Sequence, residues 1–130
     1  MEDIMIDTNI VIQYFRTRNK SETLLIELLK FHNIFISPIT EFELHLGAKS
    51  PRHKQDIEMV FNEVEFLPFE NGCGEIASEI WKELKINHQQ CEIRDIFMAS
   101  IAIYSNIWLC TFNKKHFQQI SRLKIWEDKS

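Results

Sequence analysis

Glycine and proline are scarce in this chain, with three of each in 130 residues. Helices are therefore expected to dominate. Cysteine is equally sparse: Cys73, Cys91 and Cys110 are widely spaced, odd in number and without a CxxC pair. That excludes a disulfide framework and fits a reducing compartment, with the thiols as small core residues. No apolar run approaches ~18 residues, so no membrane span is expected. No basic stretch precedes an apolar one at the acidic start Met1-Glu2-Asp3, which argues against a signal peptide and makes the cytoplasm the expected location. An excess of positive charge is missing too. The net charge is −4, whereas a protein that holds nucleic acid by bulk charge is usually basic. Any such contact here must use a local basic patch or a bound metal. No repeat, low-complexity tract, linker, phosphate-cradling glycine loop or Ser–His–Asp order is visible.

What the chain does have is apolar bulk. Hydrophobic residues make up 45%, with ten Phe and three Trp, which excludes disorder. The length suits one domain, residues 1–130, burying roughly two-thirds of its unfolded surface.

Short apolar runs alternate with helical periodicities. Asp3–Asp7 reads as a first strand, followed by a helix over Asn9–Phe15 with Ile10, Val11, Tyr14 and Phe15 inward. Ser21 is expected to cap a second helix carrying Leu24, Leu25, Leu28, Leu29 and Phe31. Ile34–Ile36 reads as a second strand. Ser37-Pro38 opens a helix whose inward stripe is Ile39, Phe42 and Leu46, with Gly47 at its end. Pro51 starts another, with Ile57, Val60 and Phe61 inward. Val64–Pro68 reads as a third strand and Glu75–Lys85 as an amphipathic helix facing inward through Ile76, Ile80, Trp81 and Leu84. Ile93–Tyr104 is apolar almost all round, as a buried helix is. Trp108–Cys110 reads as a fourth strand, Asn113–Ser121 as a helical turn or two, and Leu123–Trp126 as a short edge strand. Strands alternating with helices predict a three-layer α/β/α sandwich around a mainly parallel sheet of about five short strands.

Within that frame the carboxylates are the informative residues. Asp7 ends the first strand, where open parallel sheets bind ligands; it is also a good helix N-cap. Glu43 lies on the flank of its helix's apolar stripe, where a carboxylate needs a partner. Asp95 lies in the first turn of an otherwise apolar helix, next to small residues at 99 and 102. It suits the helix dipole, but a surface position would serve the dipole equally well. Asn113, just past the fourth strand, either caps the next helix or offers an amide oxygen to a site. Three carboxylates from strand ends and helix starts suit a hard cation such as Mg²⁺ or Mn²⁺. Without a cation, their proximity raises their pKa values and costs stability. The cluster therefore predicts a metal or a basic partner.

Four segments, in this order and spacing, resemble a known family: Ile6-Asp7-Thr8-Asn9; Ile39-Thr40-Glu41-Phe42-Glu43-Leu44 with Gly47; Arg94-Asp95-Ile96-Phe97-Met98-Ala99-Ser100-Ile101-Ala102; and Thr111-Phe112-Asn113-Lys114-Lys115-His116-Phe117. Together they resemble the PIN domain, in particular the VapC-type toxins of prokaryotic toxin–antitoxin pairs, over nearly the whole chain. The resemblance implies an α/β/α sandwich and a Mg²⁺- or Mn²⁺-dependent endoribonuclease with a cognate antitoxin and a homodimeric state. It makes Asp7, Glu43 and Asp95 the acidic ligands. Many members carry a fourth acid near the position of Asn113; this chain departs from that pattern, and a neutral amide holds a second cation less well, which counts against two-metal chemistry.

On this reading Asp7 is the central ligand, Asp95 lies beside it, and Glu43 is a ligand or orients the attacking water. Thr8 and Asn113 act in support. Lys114, Lys115 and His116, together with Lys49, Arg52, His53 and Arg94, are the candidates for meeting an RNA backbone. The rival readings are a phosphoacceptor signalling domain, which would want neighbouring acids very early in the chain and a Lys late in it, whereas Glu2 and Asp3 lie at the wrong end of the first strand, and an inactive PIN-like domain that binds RNA or protein. His88 and Cys91 have HxxC spacing, but no second pair completes a zinc site.

Overall fold

The structure, a computed structural model, describes residues 1–127; the last three residues of the expected domain lie outside the described residues. Four strands form a parallel sheet: β1 (Asp3–Ile6), β2 (Asn33–Ile36), β3 (Glu65–Phe66) and β4 (Trp108–Cys110), in the spatial order β3-β2-β1-β4. The register pairs Met5 with Phe35 on one side and with Leu109 on the other. Helices carry every crossover: α1 (Thr8–Arg16), α2 (Leu24–Phe31), α3 (Pro38–Leu46), α4 (Pro51–Phe61), α5 (Cys73–Ile86), α6 (Ile93–Tyr104) and the short α7 (Lys114–Phe117).

A parallel sheet needs both faces covered, and β1 meets that need with three consecutive buried residues, Ile4, Met5 and Ile6. Period-two alternation splits them. Met5 joins Leu109, Phe117 and the inner faces of α5 and α6 in one core. Ile4 and Ile6 join Ile34, Ile36 and side chains of α1, α2 and α4 in the other. The three layers follow from this alternation. Helix α3 contributes to both cores, through Ile39 on one side and Leu44 on the other, and starts directly beyond the carboxyl end of β2.

Several local expectations are corrected. Ser21 does not cap α2: residues Lys20–Glu22 form a 3-10 turn and Thr23 is the N-cap. The Thr23 hydroxyl is used within that turn, donating to the Lys20 carbonyl, and Gln13 Oε1 accepts from Leu24 N instead. Phe31 is exposed. In α3 the fully buried residues are Thr40 and Leu44, and Ile39 packs half-buried as expected, while Phe42 and Leu46 are 62% and 68% exposed. An apolar stripe identifies one face of a helix, but not which face meets the core. In α5, Cys73, Ala77, Ile80 and Leu84 are buried and Trp81 is 49% exposed. The third strand is two residues long. The final edge strand is reduced to a parallel bridge between Leu109 and Ile125, with Leu109 N donating to Lys124 O and Trp126 N to Leu109 O.

Candidate active site

Strands β1, β2 and β4 all end at the same edge of the sheet, and the polar residues there are the ones that follow each strand. Asp7 succeeds β1, Ser37 succeeds β2 and leads into α3, and Thr111 succeeds β4. The Asp7 backbone N–H donates to Cys110 O at 2.9 Å, so β1 and β4 are still paired where the carboxylate leaves the sheet.

Asp7 fills two roles at once. As N-cap of α1, its Oδ1 accepts from Thr8 N at 2.7 Å. That same oxygen accepts from Arg94 Nη2 at 2.6 Å. Its Oδ2 accepts from the Thr111 hydroxyl at 2.7 Å and faces Asn9 Nδ2 at 3.5 Å. Capping and site chemistry are therefore compatible, because a carboxylate has enough lone pairs for both. Asp7 is 1% exposed, so its rotamer is fixed by these partners.

Glu43 and Asp95 meet the same guanidinium. Arg94 Nε donates to Glu43 Oε2 at 2.9 Å and Nη2 to Glu43 Oε1 at 2.8 Å, a bidentate fork. Arg94 Nη1 donates to Asp95 Oδ1. Thr8 Oγ1 donates to Glu43 Oε1 at 2.6 Å and lies 3.0 Å from Thr40 Oγ1. Asp95 Oδ2 faces His116 Nδ1 at 3.5 Å. The three sequence-predicted carboxylates thus come together, drawn from β1, α3 and α6, around one cation supplied by the chain itself. Arg94 stood among the expected RNA contacts; the structure makes it the basic partner that the acidic cluster required.

The electrostatics of the three are unequal. Burial pushes the Asp95 carboxyl above its ordinary value, and the Arg94 hydrogen bond and charge only partly offset this. Burial acts in the same direction on Glu43, but hydrogen bonds from Arg94 and Thr8 bring its carboxyl below the ordinary value. Burial would lower the Arg94 pKa; its bonds to Glu43 and Asp7 hold it above the ordinary value instead. The guanidinium is therefore permanently charged, and with all three carboxylates ionised the cluster keeps an excess of negative charge.

Asn113 lies outside the cluster. Its side chain is exposed and makes no hydrogen bond to the acids, while its backbone N–H donates to Thr111 Oγ1 at 3.0 Å. Thr111 and Asn9 are the residues that pin Asp7 from the β4 side, and Thr40 is buried beside Thr8. Sequence reasoning missed Thr111 and Thr40. The signal for Thr111 was its place directly after a buried strand next to β1; Thr40 had only its position one turn before Glu43.

Among the described residues, no set of three carboxylate, imidazole or thiol groups is already arranged around a metal position. The donors themselves fit a hard divalent cation: oxygen ligands, converging from separate segments, already gathered by a positive group that stands in for one. Two clefts adjoin the centre. One of about 480 Å³ opens beside Asp95 and includes Trp81, Lys85, Lys115 and His116. The other, about 570 Å³, opens beside Glu43 and includes Arg16, Lys20, Arg52 and His53. Lys114 turns away to pair with Glu127.

The chain matches the PIN domain family model over residues 4–123. It is similar to Ribonuclease VapC2 of Rickettsia felis, 30% identical over 124 residues that cover 92% of each chain. It is also similar to Ribonuclease VapC1 of Methanocaldococcus jannaschii, 28% identical over 126 residues, covering 95% of this chain and 87% of the relative. Among solved structures, VapBC2 from Rickettsia felis bound to a promoter DNA fragment superposes with a TM-score of 0.83 at 26% identity, covering 96% of this chain and 99% of the other. DNA-bound VapBC from Salmonella typhimurium gives 0.82 at 26% identity, covering 97% and 98%. The segments that carry Asp7, Glu43 and Asp95 all fall inside the matched range, and the chain belongs to the PIN domain family.

Proposed function

We propose that the protein is a metal-dependent endoribonuclease, the toxin of a toxin–antitoxin pair, acting in the cytoplasm. The observation that carries this reading is the convergence of Asp7, Glu43 and Asp95 on one cationic group at the carboxyl edge of the sheet. The names of the similar VapC ribonucleases support the reaction class.

Asp7, Asp95 and Glu43 would hold Mg²⁺ or Mn²⁺, and Arg94 competes with that cation for the same oxygens. A divalent cation held there supplies Lewis-acid chemistry, making water a better nucleophile at neutral pH and offsetting charge that develops on the phosphoryl oxygens. The protein's part is positional. Thr111 and Asn9 fix Asp7; Thr8 fixes Glu43. Glu43 is the most solvent-accessible of the three carboxylates and orients the attacking water from the open side. In the hydrolysis the water oxygen bonds to phosphorus and the bond from phosphorus to the leaving ribose oxygen breaks. The water's proton passes to solvent and the leaving oxygen takes one up. Asn113, at the exposed rim, supports the substrate or an ordered water through its amide. Lys115 and His116 on one side and Arg52 and His53 on the other meet the RNA backbone, which answers the acidic net charge with two local basic patches.

Protein partners belong to the proposal: a cognate antitoxin, as in the VapBC complexes among the structural relatives, and a second copy of the chain. The exposed apolar residues Phe42 and Leu46 on α3 support a protein-covered surface. No helix among the described residues is long and apolar enough to cross a membrane.

One observation favours a second reading. Arg94 already satisfies the carboxylates, as it would in an inactive PIN-like domain that binds RNA or protein. Cleavage of a mixed transfer- and ribosomal-RNA pool separates the two. The nuclease reading expects discrete cuts with Mg²⁺ or Mn²⁺ that vanish with chelator and in Asp7→Asn and Asp95→Asn. No cuts from folded, antitoxin-free protein, with no heat of metal binding by calorimetry, would leave the inactive domain.

A further inference from the structure

Trp81 is the residue whose periodicity pointed inward and whose side chain is half exposed. A half-exposed indole offers a stacking face to a planar partner, and this one is not isolated. Lys85, one turn later on α5, carries its Nζ 5.0 Å from the centre of the Trp81 ring. Both residues wall the cleft that ends at Asp95, and Lys115 and His116 of α7 wall it further along. The amides of Gln89, Gln90 and Gln119 complete the lining.

The walls are tied to one another. Gln119 Nε2 donates to Gln90 O at 2.8 Å, and Cys91 Sγ to His116 O at 3.5 Å. These bonds fasten the α5–α6 loop to α7 and to the turn after it, so the cleft is formed before any ligand enters. Its volume, about 480 Å³, lies within the range of roughly 300–1,000 Å³ usual for small-ligand sites. Its negative groups are Glu92 and Asp95, and Asp95 is already bonded to Arg94.

An aromatic face with a cation over it, further cations and side-chain amides are the groups that receive an unpaired nucleotide. The base stacks on the indole, the phosphate meets Lys and His, and the amides bond the base edge. A base inside a duplex has no free face to offer. We propose that this cleft binds the nucleotide adjoining the scissile phosphate of single-stranded RNA, with its base stacked on Trp81. The inference rests on the ribonuclease reading above and adds a base-binding subsite built on Trp81 and the cations beside it. Indole stacking accepts any base, so the selectivity is for unpaired structure first and base identity second.

The test uses the full chain in chelator, where nothing is cut, and an unstructured hexaribonucleotide carrying a fluorescent label. Trp108 begins β4, at the opposite end of the sheet, and packs edge-to-face on Trp126, so quenching from the cleft is attributable to Trp81. The expected result is quenching of tryptophan emission in the wild type that disappears in Trp81→Phe. Anisotropy should show affinity reduced about tenfold in Trp81→Ala and largely restored in Trp81→Phe, which keeps a stacking face. With Mn²⁺, Trp81→Ala should raise KM by a similar factor, leave kcat within about twofold and widen the choice of cut sites. Unquenched emission, equal affinity in Trp81→Ala, or equal binding of the same sequence in a duplex would each overturn the proposal. Wild-type cleavage with Trp81→Ala unchanged in KM and cut sites overturns the cleft and leaves the nuclease reading standing. Quenching without wild-type cleavage under any metal overturns the nuclease reading, and with it the proposal as stated.

Discussion

Asp95 and Glu43 share one guanidinium, yet their proton affinities move in opposite directions. Asp95 belongs to α6, a helix with core on most of its faces, and is 2% exposed. Burial dominates there and the carboxyl is pushed up. Glu43 belongs to α3, whose apolar residues Phe42 and Leu46 point to solvent, and its side chain is 31% exposed. It takes two bonds from Arg94 and one from Thr8, and its carboxyl is pushed down. The lesson concerns where rigidity and adaptability reside. The α6 side offers a carboxylate locked by packing; the α3 side offers one held by hydrogen bonds that can be exchanged.

Substitutions at the centre test that difference. The largest expected effect is on the locked side. Asp95→Asn should reduce metal-dependent cleavage by a factor of about 10³ or more, on the scale of losing charge stabilisation in a preorganised site. Its melting temperature at neutral pH should move little, because Arg94 keeps Glu43 and Asp7 as partners and an unfavourable buried charge is removed. A large drop in melting temperature would mean that Asp95 is held by its ion pair rather than by packing. Glu43→Gln, on the exchangeable side, should cost about 10²-fold in rate, since the amide still hydrogen-bonds water.

Arg94→Gln removes the group common to both. Calorimetry should find Mn²⁺ binding tighter by about tenfold, as expected when a competing cation is deleted. Weaker binding would mean that Arg94 assists the metal rather than competing with it. In chelator the variant should melt lower than the wild type, and Mn²⁺ should restore it. The pH dependence carries a sign. In the wild type the lowered Glu43 value contributes stability above its unfolded pKa, lost as pH falls through the folded value. The raised Asp95 value contributes the opposite, a cost above its folded pKa that fades as pH falls. Without Arg94, the upward push of burial on Glu43 is opposed by the Thr8 hydrogen bond alone, so its value moves up in the direction of Asp95. The stability gap between variant and wild type should therefore narrow as pH falls from about 7 to about 5. The smallest effect is expected at Asn113→Ala, within about twofold in metal affinity, because an exposed side chain off the cluster alters little.

The layer order and the acidic trio were legible because each rests on a strong local signal: an apolar run ending in a carboxylate, or an acid inside an apolar helix. What escaped was direction. In α3 the stripe of Ile39, Phe42 and Leu46 has the right period and Ile39 does pack against the core, but tertiary packing buried Thr40 and Leu44 and left Phe42 and Leu46 outward. In α5 the same choice turned Trp81 outward. Arg94 escaped as a structural element of the site because a basic residue in a first turn reads as a surface charge, although the carboxylates demanded a cation. Asn9 pins Asp7 from two residues away, but the other partners of Asp7, Thr111 and Arg94, lie 104 and 87 residues away, and no local pattern announces such pairings.

That distance has a consequence for synthesis. Asp7 is bonded to Thr111, 104 residues later in the chain, and to Arg94, 87 residues later. Strand β1 lies between β2 and β4, so one of its edges has no partner until the last third of the chain is available. A growing polypeptide that has delivered Asp7 and Glu43 still lacks both the arginine and the strand that assemble them. The centre is therefore among the last parts of the molecule to come into being during translation, and a chain interrupted before β4 carries the acids without the site.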